Sequence, residues 1–174
     1  MINEIKNKIK DWLGSIIILP VVVYLILSIG KFHFIDYLNL LIHEGGHGIF
    51  KIFGGFIYTL GGTLMQLIIP SMFIVYYFVN KKKFLAQIFL VWLGENLINI
   101  SIYIKDARTK QLPLLGGNKV YHDWNYLLSK INLLEYDQLI GDIVIIFAII
   151  SFLIALLVPI FLKNEKPVNL NLDL

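Results

Sequence analysis

Five long apolar runs, separated by short polar segments, dominate this sequence of 174 residues. An α-helix needs about 20 mostly apolar residues to cross a bilayer, and each run is near that length. Hydrophobic residues make up 57% of the chain and charged residues 16%, whereas soluble domains have about 45–50% and about 25%. The sequence therefore predicts one all-α integral membrane domain over residues 1–174. Its predicted membrane spans are residues 12–29, 34–53, 63–79, 84–104 and 139–162.

The charge pattern limits the partners expected for the chain, and the absence of cysteine limits the side chains that could bind a metal. The net charge is only +3, and lysines such as those at 81–83 stand at the ends of apolar runs. This pattern is typical of membrane-flanking anchors, so we expect a lipid bilayer and no nucleic acid as a partner. The chain has no cysteine. Any metal must therefore be held by histidine, aspartate, glutamate or water.

Two stretches between the runs predict irregular structure. Glycine pairs bracket residues 54–62, which are otherwise rich in aromatic and β-branched residues. We interpret them as a short strand or re-entrant turn with an edge for an extended substrate, or equally as a plain interhelical loop. The polar stretch 105–138 ends in leucines and isoleucines at helical spacing. This spacing predicts an amphipathic helix from about 122 to 132.

The second apolar run contains His43-Glu44-Gly45-Gly46-His47. Histidines four apart share one face of a helix, close enough to bind one metal ion. In this spacing the two imidazoles hold Zn²⁺ and the glutamate acts as general base. Buried separately in an apolar helix, the three side chains would each need a partner of their own. The motif therefore predicts a zinc site with His43 and His47 as ligands and Glu44 as the catalytic residue.

A catalytic zinc ion takes a third protein ligand. Asp123 is our first choice, because it begins the amphipathic helix after a glycine-rich loop. The competing interpretation is that Asp123 only caps that helix. His122 and then Asp106 are the alternatives, although Asp106 is also suited to a surface ion pair with Lys105 or Arg108.

Asn96 and Asn99 lie on one face of the fourth run. In a membrane such a polar face points to a protein interior or a wet cavity. We expect the two amides to stabilise the oxyanion or hold an unwound substrate, with ordinary hydrogen bonding between helices as the equal alternative.

The segments His43–His47, Phe53-Gly54-Gly55 and Thr59-Leu60-Gly61-Gly62 together resemble the site-2-protease-type intramembrane metalloproteases. The resemblance implies an H-E-x-x-H helix, a glycine-containing hairpin and a later aspartate ligand in an L-D-G motif. The chain departs from that last motif, because Leu112-Pro113-Leu114-Leu115-Gly116-Gly117 has Leu115 at the aspartate position. Residues 104–128 also look like those of small bacterial members of this group, which implies a bacterial cell membrane.

The function expected from the motif is hydrolysis of peptide bonds in membrane-embedded or membrane-adjacent protein substrates. A water activated by zinc would attack the carbonyl, with Glu44 moving the proton. One alternative is a non-catalytic zinc-binding membrane protein that binds or regulates other membrane proteins. A metal transporter is a second alternative, although transporters usually spread their ligands over several spans.

Overall fold

The computed structural model describes residues 2–113 and 121–162, with side chains from Ile9 onward. Throughout these residues the chain is helical, without a strand, which confirms the all-α prediction. Two short 3₁₀ turns, Lys51–Phe53 and Leu134–Tyr136, accompany the helices. The six helices are α1 (Ile2–Leu27), α2 (Phe34–Phe50), α3 (Gly55–Val79), α4 (Lys83–Lys105), α5 (Asp123–Lys130) and α6 (Asp137–Phe161).

Among the described residues, four segments rather than about five are long and apolar enough to cross a membrane. They are Ile9–Leu27, Gly55–Val79, Lys83–Lys105 and Leu134–Phe161. The predicted span at 34–53 is the exception, because α2 has only 17 residues. At 1.5 Å per residue it reaches about 25 Å, less than the hydrocarbon core of about 30 Å. The chain therefore pairs four long apolar helices with a shorter helix that contains the histidine motif.

The apolar core lies where α4 packs against α6 and α1. Phe152 of α6 is almost fully buried against Gly94 of α4, where a Cβ would come within 2.4 Å of the Phe152 ring. Ser15 on α1 donates a hydrogen bond to the Leu156 carbonyl at 2.7 Å. Its hydroxyl also accepts one from Gln87 of α4 at 2.8 Å. Small residues and buried hydrogen bonds thus hold these three helices together, as is common between membrane helices.

Helix α2 packs on α3 through glycines. A Cβ on Gly46 would lie 2.3 Å from the Gly61 carbonyl oxygen, and one on Gly61 would lie 2.7 Å from the Phe50 Cβ. A Cβ on Gly62 would lie 2.5 Å from His43 Nε2. Within the part of the chain that the structure describes, no atom lies within 4 Å of a Cβ built on Gly45 or Gly48. Among the glycines of the motif, Gly46 is therefore the one at which the structure describes a close approach of a second backbone.

The prediction of a strand, re-entrant turn or loop over 54–62 is wrong. Gly54 makes the turn with a φ of +85°, and α3 begins at the next residue. Thr59 and the glycines at 61 and 62 face inward in the first turns of α3. The second glycine pair allows a close helix crossing and does not end a strand. The backbone amides of residues 55–62 are part of helix α3, so this segment has no strand edge that could pair with an extended substrate.

The predicted amphipathic helix at about 122–132 is present as α5, which begins at Asp123 and ends at Lys130. Leu127 and Leu128 are each 2% exposed, and α5 packs against α3 and α4. This burial brings the start of α5 to the face of α2 that contains the histidines. The loop stretch 114–120, which includes Leu115, lies outside the described residues.

Candidate metal centre

His43, His47 and Asp123 meet at one point between α2, α3 and α5. The Nε2 atoms of His43 and His47 lie 2.9 Å and 3.2 Å from the same carboxylate oxygen, Asp123 Oδ2. The two histidines lie one turn apart, and their rings are 4.8 Å apart between centroids. Asp123 is 80 residues from His43 in the sequence, so only the packing of α5 brings the three side chains together.

The opposite ring nitrogens of both histidines face oxygen atoms. His47 Nδ1 lies 2.9 Å from the Tyr58 carbonyl oxygen, and His43 Nδ1 lies 2.9 Å from Gln66 Oε1. A carbonyl oxygen can only accept, so His47 Nδ1 must carry a proton. In the neutral imidazole, His47 Nε2 then has a lone pair directed at Asp123. This is the arrangement of metal-binding histidines, whose second nitrogen usually donates to a carbonyl or carboxylate.

A lone pair facing a carboxylate oxygen at 3.2 Å requires a positive charge between the two atoms. Without a metal the charge has to be a proton, and the hydrogen bond to Asp123 raises the pKa of His47 against the effect of burial. Burial alone would raise the pKa of Asp123, but the hydrogen bonds from His43 and His47 outweigh it and lower the pKa. The three side chains therefore form a site that attracts a cation.

The spacing of the three atoms suits a tetrahedral ion. Zinc bonds to nitrogen and oxygen of about 2.0–2.2 Å place neighbouring ligands about 3.3–3.5 Å apart. The two measured separations, 2.9 Å and 3.2 Å, are slightly shorter. The side chains of the three residues are only 8–12% exposed. One imidazole pair and one carboxylate, partly shielded from solvent, match the ligand types that zinc prefers.

Two contacts position Asp123 at the start of α5. His122 is the N-cap of the helix, and its Nδ1 accepts a hydrogen bond from the Asn125 backbone at 3.2 Å. The Asp123 backbone N–H donates to the Tyr103 hydroxyl at 3.1 Å. The interpretation of Asp123 as the cap is therefore wrong, since the preceding residue caps the helix. The Asp123 carboxylate is left to face the histidines.

The two alternative third ligands form a separate pair. His122 Nε2 lies 3.4 Å from Asp106 Oδ2, and both residues are buried. Burial lowers the pKa of His122, opposed by the nearby Asp106. The expected surface ion pair of Asp106 is also wrong. Arg108 pairs with Asp137 at 2.7 Å, and Lys105 pairs with Asp142 at 2.6 Å.

Asp106 instead organises the turn after α4. It accepts hydrogen bonds from the Thr109 hydroxyl and from the backbone N–H groups of Gln111 and Leu112, the latter two at 2.9 Å. Burial favours the neutral carboxyl, but these hydrogen bonds outweigh it and lower the pKa of Asp106. Its carboxylate is thereby engaged away from the histidines of α2.

Glu44 lies on the exposed face of α2 and acts electrostatically on His47. Gly45 and Gly48 on the same helix have open space above them. Among the described residues, nothing packs on α2 at these two glycines. The predicted general base and the three candidate ligands thus belong to one region of the molecule.

The two asparagines of α4 face other partners. Asn96 Nδ2 donates to the Trp92 carbonyl at 3.0 Å, and Asn99 Nδ2 donates to Asp36 Oδ1 at 3.0 Å. Both amide oxygens face Gln66 Nε2 at 3.4 Å. The structure therefore shows the second of the two roles considered for this face, which is hydrogen bonding between helices. The partners of both amides lie on the Nδ1 side of His43, away from Asp123.

A second group of potential ligands, His33, Asp36 and Glu95, lies at the start of α2. The His33 backbone N–H donates to Asp36 Oδ2 at 2.5 Å, which caps the helix. His33 Nε2 lies 2.9 Å from Ser28 Oγ. Glu95 accepts from Asn39 Nδ2 at 2.5 Å and lies within hydrogen-bond reach of the Asp36 carboxyl group. Capping and carboxyl pairing account for this group without a metal.

Sequence reasoning missed three residues around the first group. Gln66 and Tyr58 satisfy the outer nitrogens of the histidines, and Tyr103 holds the Asp123 backbone. Gln66 was visible as a lone polar residue in an apolar run, which signals a buried hydrogen-bond partner. Tyr58 acts through its backbone, which leaves no mark on its side-chain type.

The chain was compared with known proteins, and it matches no family model, no curated protein and no solved structure.

Proposed function

We propose that this protein is a membrane-embedded zinc metalloprotease, with His43, His47 and Asp123 as the metal ligands. The observation that carries the proposal is the convergence of both histidine Nε2 atoms on Asp123 Oδ2, at 2.9 Å and 3.2 Å. Both outer nitrogens face oxygen acceptors, which leaves the inner ones free to coordinate. Three protein ligands are the number found in catalytic zinc sites, where a fourth position remains for water or substrate.

Bound at these three residues, zinc would lower the pKa of a water molecule and polarise the scissile carbonyl. Glu44 follows His43 directly and lies on the open side of α2. Its carboxylate takes the proton from the attacking water and passes it to the leaving amine. Gly45 and Gly48 have no side chains to block a peptide that approaches over this face. The substrate would be a protein segment in or beside the bilayer, since the same chain has four helices long and apolar enough to cross a membrane.

The metal site and the catalytic step need separate measurements. The first is the zinc content of the purified full-length protein and of His43→Ala, His47→Ala and Asp123→Ala. We expect about one zinc per chain in the wild type and a loss of zinc in each variant. Asp142→Asn is the matched control, because this acidic residue pairs with Lys105 and is not part of the site. Equal zinc in all five proteins would contradict the proposed ligands.

The catalytic step is tested with Glu44→Gln, which has the same shape but cannot take a proton. We expect this variant to retain zinc and to accumulate uncleaved membrane substrates, compared by quantitative proteomics of membranes with the wild type. If both proteins bind zinc and leave identical membrane proteomes, the protease assignment fails. The result would then support the alternative, a non-catalytic zinc-binding membrane protein.

A further inference from the structure

We propose that Gln66 is a positioning residue that fixes the tautomer of His43, and that Asn96 and Asn99 hold the Gln66 amide in the required orientation. This inference rests on the proposed metal site and assigns it an outer layer. His43 binds a cation through Nε2 only if its proton is on Nδ1. Nδ1 faces Gln66, whose amide can offer either an oxygen acceptor or a nitrogen donor. The orientation of one amide therefore decides whether His43 can be a ligand.

Asn96 provides the first constraint on that orientation. Its Nδ2 lies 3.0 Å from the backbone carbonyl oxygen of Trp92, one turn earlier in α4. The carbonyl has no proton, so the amide nitrogen of Asn96 must face it. The amide oxygen of Asn96 then faces Gln66, 3.4 Å from Nε2. Asn96 is fully buried, which excludes exchange of these partners with bulk water.

Asn99 provides the second constraint by a different route. Its Nδ2 lies 3.0 Å from Asp36 Oδ1. Asp36 accepts a backbone hydrogen bond from His33 through its other oxygen, and its Oδ1 accepts from Asn99 when the proton of the Asp36–Glu95 carboxyl pair is on Glu95. Asn99 must therefore direct its nitrogen at Asp36 and its oxygen at Gln66 Nε2, at 3.4 Å.

Two oxygen acceptors thus converge on the amide nitrogen of Gln66. Its oxygen Oε1 is left to face His43 Nδ1 at 2.9 Å, which requires the proton on Nδ1. A reversed amide would lose both asparagine hydrogen bonds in a site where Gln66 is only 3% exposed. It would also direct an N–H at Nδ1 and move the histidine proton to Nε2, where it blocks coordination. A buried polar group left without a partner is costly, so the observed orientation is strongly favoured.

Two substitutions of Gln66 separate this role from simple packing. Gln66→Glu keeps the shape and presents only acceptors to His43, so Nδ1 remains protonated. Gln66→Met fills a similar volume but has no strong acceptor. We expect Gln66→Met to weaken zinc binding about 10–100-fold, as is typical when an outer partner of a metal ligand is lost. Gln66→Glu loses the hydrogen bonds to Asn96 and Asn99, but it should still bind zinc more tightly than Gln66→Met because it keeps an acceptor at His43 Nδ1. Zinc affinity is measured on the full chain in detergent by competition with a chromophoric chelator.

A packing role predicts the reverse order, because methionine suits an apolar interior and a buried carboxylate does not. Zinc binding that survives in Gln66→Met and is lost in a folded Gln66→Glu protein would overturn the inference.

A second measurement needs no variant. The ¹⁵N chemical shifts of the metal-free wild type report which imidazole nitrogens are protonated, and we expect the neutral His43 ring to carry its single proton on Nδ1, although Nε2 lies 2.9 Å from Asp123 Oδ2. His47 is the internal reference, because the Tyr58 carbonyl fixes its tautomer independently. An unprotonated His43 Nδ1 overturns the inference even if every variant is unstable. If the wild type binds no zinc but His43 Nδ1 is protonated, the proposed function fails and the role of Gln66 in setting the tautomer stands.

Discussion

The two groups of potential ligands beside α2 contain similar residues but differ in what surrounds them. His43, His47 and Asp123 direct three atoms at one point, and both imidazoles have their outer nitrogens paired with oxygen acceptors. In the second group, the closest approach of the His33 imidazole to Asp36 is 3.7 Å. The comparison teaches that proximity of ligand-type residues is not enough to propose a metal site. The hydrogen bonds on the far side of each ligand have to leave a lone pair free.

The two groups also differ in how the chain assembles them. His33 and Asp36 are three residues apart and form the cap of α2, a local task that explains their proximity. Asp123 reaches α2 from a separate helix, and it does not cap that helix. A distant residue buried against two histidines lacks a local explanation. Glu95 also reaches the second group from a separate helix, α4, but its carboxyl group accepts a hydrogen bond from Asn39. Long-range convergence therefore indicates a shared ligand only where other hydrogen bonds do not account for it.

The largest expected effect is at Asp123. Asp123→Asn removes the negative charge on which both histidines converge, and we expect zinc affinity to fall at least about 100-fold. Zinc at about 100 times its Kd should stabilise the wild type by about 2.7 kcal/mol, and the variant by much less. Thermal unfolding in detergent, with zinc and with chelator, measures the difference. An unchanged zinc-dependent shift would remove Asp123 from the ligand set.

The next largest effect is at Gly62, which lies under the His43 imidazole. A Cβ there would be 2.5 Å from Nε2, so Gly62→Ala must displace the ligand. We expect zinc affinity to fall about 10–100-fold, as for other disturbances around a metal ligand. Gly48→Ala is the matched control, since its Cβ has no neighbour within 4 Å. Equal zinc affinity in the two variants would mean that His43 does not need its observed position.

A smaller effect is expected on stability, where alanine substitutions on the two sides of α2 should change the free energy of unfolding in opposite directions. Gly46→Ala places a Cβ 2.3 Å from the Gly61 carbonyl oxygen, a backbone atom that cannot move without shifting α3. We expect the free energy of unfolding to fall by about 1–3 kcal/mol. Gly45→Ala meets open space and should raise it by up to about 1 kcal/mol through helix propensity. Reversible unfolding in mixed micelles measures both, and a loss in Gly45→Ala would show that its side of α2 is packed.

The smallest expected effect is in the second group. In Glu95→Gln the new side-chain amide can donate to Asp36 and accept from Asn39, so the hydrogen bonds are kept. We expect no change in zinc per chain and a change in stability below about 1 kcal/mol. Metal analysis of the purified variant is the measurement. A wild type with two metal ions and a variant with one would make the second group a metal site too.

Much of the helical architecture followed from hydropathy alone. The fourth span was predicted at 84–104, and α4 is Lys83–Lys105. The last was predicted at 139–162, and α6 is Asp137–Phe161. Such helices can be predicted from hydropathy because a long apolar segment in a membrane has few ways other than a helix to pair its backbone N–H and C=O groups. The prediction for residues 54–62 was wrong because a glycine pair can either turn the chain or allow a neighbouring helix to pack closely. Only the position of α2 shows which use applies.

The sequence by itself determined that His43 and His47 share one helical face with Glu44 beside it, because the α-helix repeats every 3.6 residues. It also limited any metal ligand to nitrogen and oxygen donors, since no cysteine is present. Only the tertiary structure decided that Asp123 faces both histidines while His122 caps α5 and pairs with Asp106. The choice among these residues depends on how α5 packs against α3 and α4, which no local periodicity encodes. The same holds for Gln66, whose partners come from α2 and α4.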